Sequence, residues 1–145
     1  MKKIINGKEF TIKYGLTALV DSPECVEPII KLIHLNEQKD IPLNKRFEPI
    51  MKDVSQITSL LFYAGLLEHH GEDGDRTVLS LNDAKSLLKK YFKENAEETT
   101  FIGLLAQLIG QMDKDNFLAL LGMGLEVNNE TAQTRKKVVA KWQQK

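Results

Sequence analysis

Cysteine, proline and net charge are all scarce in this chain of 145 residues. A lone thiol, Cys25, closes no internal disulfide, so there is no disulfide framework and a reducing compartment is the expected setting. Lys and Arg number 20 and so do Asp and Glu, which leaves no net field to draw the chain to DNA, RNA or an anionic membrane. No apolar run approaches the roughly 18 to 20 residues of a membrane span, and Met1-Lys2-Lys3 leads into a strand pattern, not a signal-peptide core. A soluble, non-exported protein follows. Phosphate loops of the GxxxxGK type, GxSxG elbows and dinucleotide fingerprints are missing as well. The expectation is a non-enzyme with no catalytic residue, cofactor or metal.

What is present begins with a hairpin. In Ile5-Asn6-Gly7-Lys8-Glu9-Phe10-Thr11-Ile12-Lys13-Tyr14-Gly15, the Asn-Gly pair suits a tight turn and lies between segments rich in Ile, Phe, Thr and Tyr. Period two puts Ile5, Phe10, Ile12 and Tyr14 on one face whether the loop holds two residues or four, with Glu9, Thr11 and Lys13 on the other. A two-stranded ribbon is marginal in water. Its apolar face must lie on a helix, or its edge must pair with another chain.

Everything after Gly15 reads as helix. Leu16 to Val20 gives a short helix ending at Asp21. Ser22-Pro23-Glu24 is a helix start, followed by Val26, Ile29, Ile30 and Ile33 at helical spacing. Ile41-Pro42-Leu43-Asn44 is a turn-like linker. A long central helix is expected from about Phe47 to His70, on the stripe Ile50, Val54, Ile57, Leu61 and Ala64. Glycines in Gly71-Glu72-Asp73-Gly74-Asp75-Arg76 break it. Ser80-Leu81-Asn82-Asp83 resembles a capping box for a helix carrying Ala84, Leu88 and Tyr91. Another apolar helix is expected from about Glu97, extended beyond the polar Asp113 to Asn116 break and stopped by Gly122-Met123-Gly124.

The fold class is therefore mainly α: a compact helical domain of about five helices with an N-terminal β-hairpin. The domain is expected over residues 1–127, with the hairpin in 1–14. Residues 128–145 form a basic tail, helical or disordered. From Glu126 onward Arg135, Lys136, Lys137, Lys141 and Lys145 face only Glu126 and Glu130.

Two features invite chemistry and do not sustain it. Glu68-His69-His70 with Glu72, Asp73 and Asp75 could suggest a metal, but adjacent helical residues project about 100° apart and the acids lack calcium-loop spacing. The reading is a solvated helix end whose histidines complement the dipole. Cys25 sits where a helix dipole could lower its pKa, but no His neighbours it, and a small packed side chain is the better reading.

The apolar helices extend further round than a core stripe requires. Any one such residue is core by default, yet Leu60 to Leu67 and Phe101 to Leu125 are apolar on more than one face. A partner groove is expected to include Phe62, Leu66, Phe101, Leu105, Leu108, Met112 and Phe117, with Met112 and Met123 supplying adaptability. Self-association through Ile5, Phe10, Thr11, Ile12 and Tyr14 is expected if the hairpin edge serves assembly.

The order of these features resembles the tail assembly chaperones of long-tailed, siphovirus-type phages and prophages of Gram-positive bacteria. The residues that carry the likeness are the Ile5 to Gly15 opening, Leu61-Phe62-Tyr63-Ala64-Gly65-Leu66-Leu67, and Leu79-Ser80-Leu81-Asn82-Asp83-Ala84 after an acidic loop. It spans roughly Met1 to Leu121. The resemblance implies a non-enzymatic factor in the bacterial host cytoplasm, absent from the mature virion. Such a factor binds the tape-measure protein, keeps it soluble and recruits subunits of the major tail-tube protein. A homo-oligomer is implied, as is a longer form made by ribosomal frameshifting, for which the Arg135 to Lys145 region is the place. The alternative is a small helical regulator that touches nucleic acid through its basic tail, where Trp142 alone offers a stacking ring.

Overall fold

The computed structural model describes residues 1–122, apart from the side chains of residues 36, 43 and 44. Strands β1 (Lys2–Ile5) and β2 (Lys8–Thr11) are antiparallel, with Lys2 opposite Thr11 and Ile5 opposite Lys8. The loop thus holds two residues. Asn6 and Gly7 take positive φ angles of 52° and 81°, the left-handed pair that a tight hairpin turn demands.

The helical part comprises α1 (Leu16–Asp21), α2 (Val26–Asn36), α3 (Leu43–Arg46), α4 (Val54–His70), α5 (Leu81–Glu94), α6 (Phe101–Lys114) and α7 (Phe117–Leu120). The described chain is mainly helical with an N-terminal two-stranded hairpin, the class that its periodicities predict. The predicted boundaries shift where local chemistry overrides the stripe. The segment Pro23–Cys25 is a 3-10 turn, and the Ser22 side chain does not cap it. Cys25 at the end of that turn continues into the buried line Ile29 and Leu32 of α2, and Ile30 faces outward. The expected linker runs into α3, where the Arg46 guanidinium donates to the Ile41 carbonyl at 2.8 and 3.1 Å. The central helix does not begin at Phe47: Glu48–Asp53 is a 3-10 segment with Pro49 in its first turn. The last long helix starts at Phe101, because the Thr100 hydroxyl accepts from the Gly103 amide at 2.9 Å and fixes the N-terminus there.

Helix α4 is the axis of the molecule and touches α1, α5, α6 and β2. The chain leaving β2 lies on its C-terminal half. The Lys13 amide donates to the Gly65 carbonyl at 2.9 Å, and the Tyr14 hydroxyl donates to the Leu61 carbonyl at 2.7 Å. A Cβ at Gly65 would come within 2.6 Å of Ile12 Cγ2, so only glycine allows this approach. Ile5, Phe10, Ile12 and Tyr14 are all buried, each contributing roughly 1.5 to 3 kcal/mol of apolar burial. On its other side Lys3 reaches Gln107 Oε1 at 2.6 Å and lies over the Tyr91 ring, which ties β1 to α5 and α6. The hairpin is therefore a lid on the helices. The expected boundary near residue 128 and the basic tail, with Met123 and Trp142, lie outside the described residues.

Candidate functional site

The structure relocates the surface expected from the sequence. Phe62, Leu66, Leu105, Leu108, Met112 and Phe117 are core residues, each about 1% exposed or less. The surplus apolar faces of α4 and α6 are consumed because α4 is enclosed on several sides by α1, α5, α6 and the hairpin. Among the described residues these six side chains therefore line no open groove. Phe101 alone of those seven is half-exposed.

Phe101 opens onto a different feature, a cleft of about 460 Å³ between α4 and α5. Its apolar floor is Leu88, Phe92 and Phe101, and the two phenylalanine rings pack at 4.5 Å between centroids. On the α4 side the walls are Ser55, Gln56 and Ser59. The Ser59 hydroxyl donates to the Ser55 carbonyl at 2.8 Å, which leaves that wall without an unsatisfied buried donor. On the α5 side stand Lys85, Lys89 and Lys93, exposed and four residues apart, so that they share one helical face. Among the described residues no acid lines the cleft.

Helix α5 is fixed rigidly enough to hold this row in register. Ser80 Oγ accepts from the Asp83 amide at 3.2 Å, the N-cap half of the capping box anticipated from the sequence, while Asp83 Oδ2 accepts at 2.9 Å from the amide of Leu79, one residue before the cap, and not from that of Ser80. At the other end Glu94 accepts the Asn6 amide through both carboxylate oxygens, at 2.9 and 3.1 Å. The two acids of α5 are thus spent on backbone donors. A smaller cavity of about 350 Å³ between α2 and α6, bordered by Ile33, Glu37, Lys39, Ile109 and Leu118, carries charges of both signs and selects no ligand class.

The residues weighed for chemistry behave structurally. Burial pushes the Cys25 thiol up to about 11, reinforced by the Glu24 carboxylate, so no reactive thiolate forms there. The helix end at His69-His70 is only half solvated. His69 is exposed, whereas His70 is buried beside Phe10 at 4.9 Å between ring centroids. His70 Nε2 accepts the Thr11 amide at 2.9 Å and Nδ1 lies 2.9 Å from Asp75 Oδ2. These bonds fix the tautomer: Nδ1 carries the proton and donates it to Asp75. Among the described residues no group of His, Cys, Asp and Glu could hold a metal ion, and no helix is long and apolar enough to cross a membrane.

The self-association residues are likewise redistributed. Ile5, Phe10, Ile12 and Tyr14 are buried under the lid, and the outward amides of Thr11 and Lys13 are taken by His70 and Gly65. The β2 edge is therefore closed by α4. At β1 the register turns the peptide groups of Lys2 and Ile4 outward. Neither makes a hydrogen bond among the described residues, and the Ile4 side chain is 57% exposed. Lysine spacing at 85, 89 and 93 was the signal in the sequence that could have located the cleft; it reads equally as an ordinary solvated face. The chain matches no protein-family model, no curated protein and no solved structure.

Proposed function

We propose that this chain is a tail assembly chaperone of a long-tailed phage or prophage, a non-enzymatic factor that binds apolar helical stretches of the tape-measure protein and keeps them soluble while tail-tube subunits gather. The observation that carries the reading is the open cleft between α4 and α5, whose floor of Leu88, Phe92 and Phe101 offers an apolar surface of the kind on which the apolar face of a helix docks. The resemblance of the Ile5 to Gly15 opening and the Leu61 to Leu67 segment supplies the family. The buried hairpin face gives that opening a folding role, and the outward groups of Lys2 and Ile4 give a second copy somewhere to pair. In this reading the protein works in the host cytoplasm, forms homo-oligomers along an extended client and leaves before the virion matures.

Co-expression tests it. A tape-measure protein should be recovered soluble only when this chain is co-expressed with it, and the two should co-purify. Substituting Phe92→Asp at the cleft floor should leave the client in the pellet while this protein stays folded by circular dichroism. A client equally soluble with and without the partner overturns the proposal. A slippery heptanucleotide in frame near the codons for Arg135 to Lys145 would support the same reading at the level of the gene.

A further inference from the structure

The cleft is chemically lopsided. Its floor is apolar, and three ammonium groups border it with no carboxylate among its lining residues. Lys85, Lys89 and Lys93 make no ion pair among the described residues, and the two acids on their own helix are committed to the Leu79 and Asn6 amides. Asp83 and Glu94 keep their charge, but neither forms an ion pair with the row, so in a chain of zero formal charge the three lysines remain a local row of unpaired cations among the described residues.

We infer that the cleft takes an acidic amphipathic helix, with apolar side chains on Leu88, Phe92 and Phe101 and carboxylates on Lys85, Lys89 and Lys93. Consecutive lysines of the row rise about 6 Å along α5, so the row is about 12 Å long. A partner helix aligned with α5 repeats its own acids at the same interval when they fall four residues apart, and a shallow crossing angle keeps such rows in contact. Exposed ion pairs of this kind contribute little each; their work is to orient and select, while the apolar floor supplies the affinity.

Other occupants fit less well. Among the described residues no helix of this chain carries acids at i, i+4 and i+8, so a second copy offers no matching row. Residues 126–145 carry five Lys and Arg against two Glu and would be repelled. A fatty acid has one carboxylate for three lysines. Nucleic acid would meet an apolar floor on a chain without a net attracting field.

The inference rests on the cleft being the client site, and its test separates the two. The probes are fluorescent helical peptides of about eighteen residues, long enough to cross the cleft. One carries a leucine stripe flanked by glutamates four residues apart; its twin has lysines in place of the glutamates. Wild-type protein should bind the acidic peptide at least ~ten-fold tighter than the twin, with the preference shrinking as salt rises. The triple variant Lys85→Glu, Lys89→Glu, Lys93→Glu should invert that preference. These side chains are exposed, so helical circular dichroism and the urea midpoint should stay unchanged. Equal binding of both peptides, no binding of either, or tighter binding of dodecanoate or of a single-stranded oligonucleotide overturns the inference. If wild type solubilises the tape-measure client yet ignores the acidic peptide, the charge assignment falls and the chaperone reading stands. If it binds the acidic peptide with inversion in the variant but leaves the client insoluble, the cleft chemistry stands and the chaperone reading falls.

Discussion

The Thr11 amide donates to Nε2 of His70 at 2.9 Å, so a side chain at the C-terminal end of α4 closes the outer edge of β2. Asp75 holds the opposite ring nitrogen and also accepts from Lys8 and from the Thr77 hydroxyl and amide. One acidic side chain thereby links the strand, the helix end and the loop between α4 and α5. The same loop sets where α5 begins, and with it the height of the lysine row beside the cleft.

Replacing His70 with Ala should therefore loosen the lid. The Thr11 amide loses its partner and Phe10 loses a ring contact. The bond is only part-buried, so a cost of about 1 kcal/mol is expected, toward the lower end of the penalty for an unsatisfied donor. Urea denaturation measures it, and amide exchange at Thr11 should accelerate while that of Leu104 and Leu108 does not. An unchanged midpoint would show that the latch is decorative.

Acid should act on the same link through Asp75. Desolvation pushes its carboxyl up, but hydrogen bonds from Thr77, Lys8 and His70 outweigh this and hold it well below the usual carboxylate range. A depressed folded-state value means that the contribution to stability is full above the ordinary value near pH 4 and is lost as pH falls below it. The carboxylate is 40% exposed, so solvent screening keeps the effect to about 1 kcal/mol or less. Urea midpoints taken down the acid limb should fall more steeply for wild type than for Asp75→Asn; parallel curves would remove Asp75 from the account.

Gly65→Ala tests the close approach of strand and helix. The added methyl would overlap Ile12 and sit 2.9 Å from the Tyr14 ring. Overpacking of this kind typically costs about 1 to 3 kcal/mol, although alanine is intrinsically the better helix former by nearly 1 kcal/mol. A lower thermal midpoint is expected, with loss of the Lys13 amide's protection. A more stable variant would mean that the hairpin does not sit where the structure places it.

How much of this was legible in the sequence follows from the range of each interaction. Asn6-Gly7, the Ser80 to Asp83 cap and the alternation of Ile5, Phe10, Ile12 and Tyr14 are local signals, and each gave the right element. Burial of both faces of α4 is not local. Whether Phe62 and Leu105 point into a core or into a groove depends on how many neighbours surround one helix, and periodicity does not count neighbours. His70 was misread for the same reason, since its partners Thr11 and Phe10 lie some sixty positions away. The cleft is not legible in the sequence, because its lysines look like any solvated face until the packing of Leu88, Phe92 and Phe101 beside them is known.

Leu105→Glu separates a core position on α6 from a groove position. Leu105 is fully buried, so an unpaired carboxylate there costs several kcal/mol, comparable with the whole stability of about 5 to 15 kcal/mol of a domain. The variant should be unfolded or insoluble alone. A folded Leu105→Glu protein that merely fails to hold its client would restore the groove on α6.

The hairpin edge provides the remaining test, and the register decides which residue to change. Proline at Thr11 would remove the amide held by His70 and so disturb the fold itself. Proline at Ile4 removes only an outward donor, because Ile4 faces Glu9 at a position that exchanges no ladder bonds, and proline is accepted on an edge strand when its nitrogen faces solvent. If copies of the chain pair through β1, Ile4→Pro should reduce the mass seen by light scattering and leave helical circular dichroism and the urea midpoint close to wild type. The contact is short and has Lys2 on it, and charged edges resist pairing. Association is therefore expected to be weak and concentration-dependent unless an extended client aligns many copies. A wild type that stays monomeric at high concentration, with and without the client, would leave the hairpin as a lid alone.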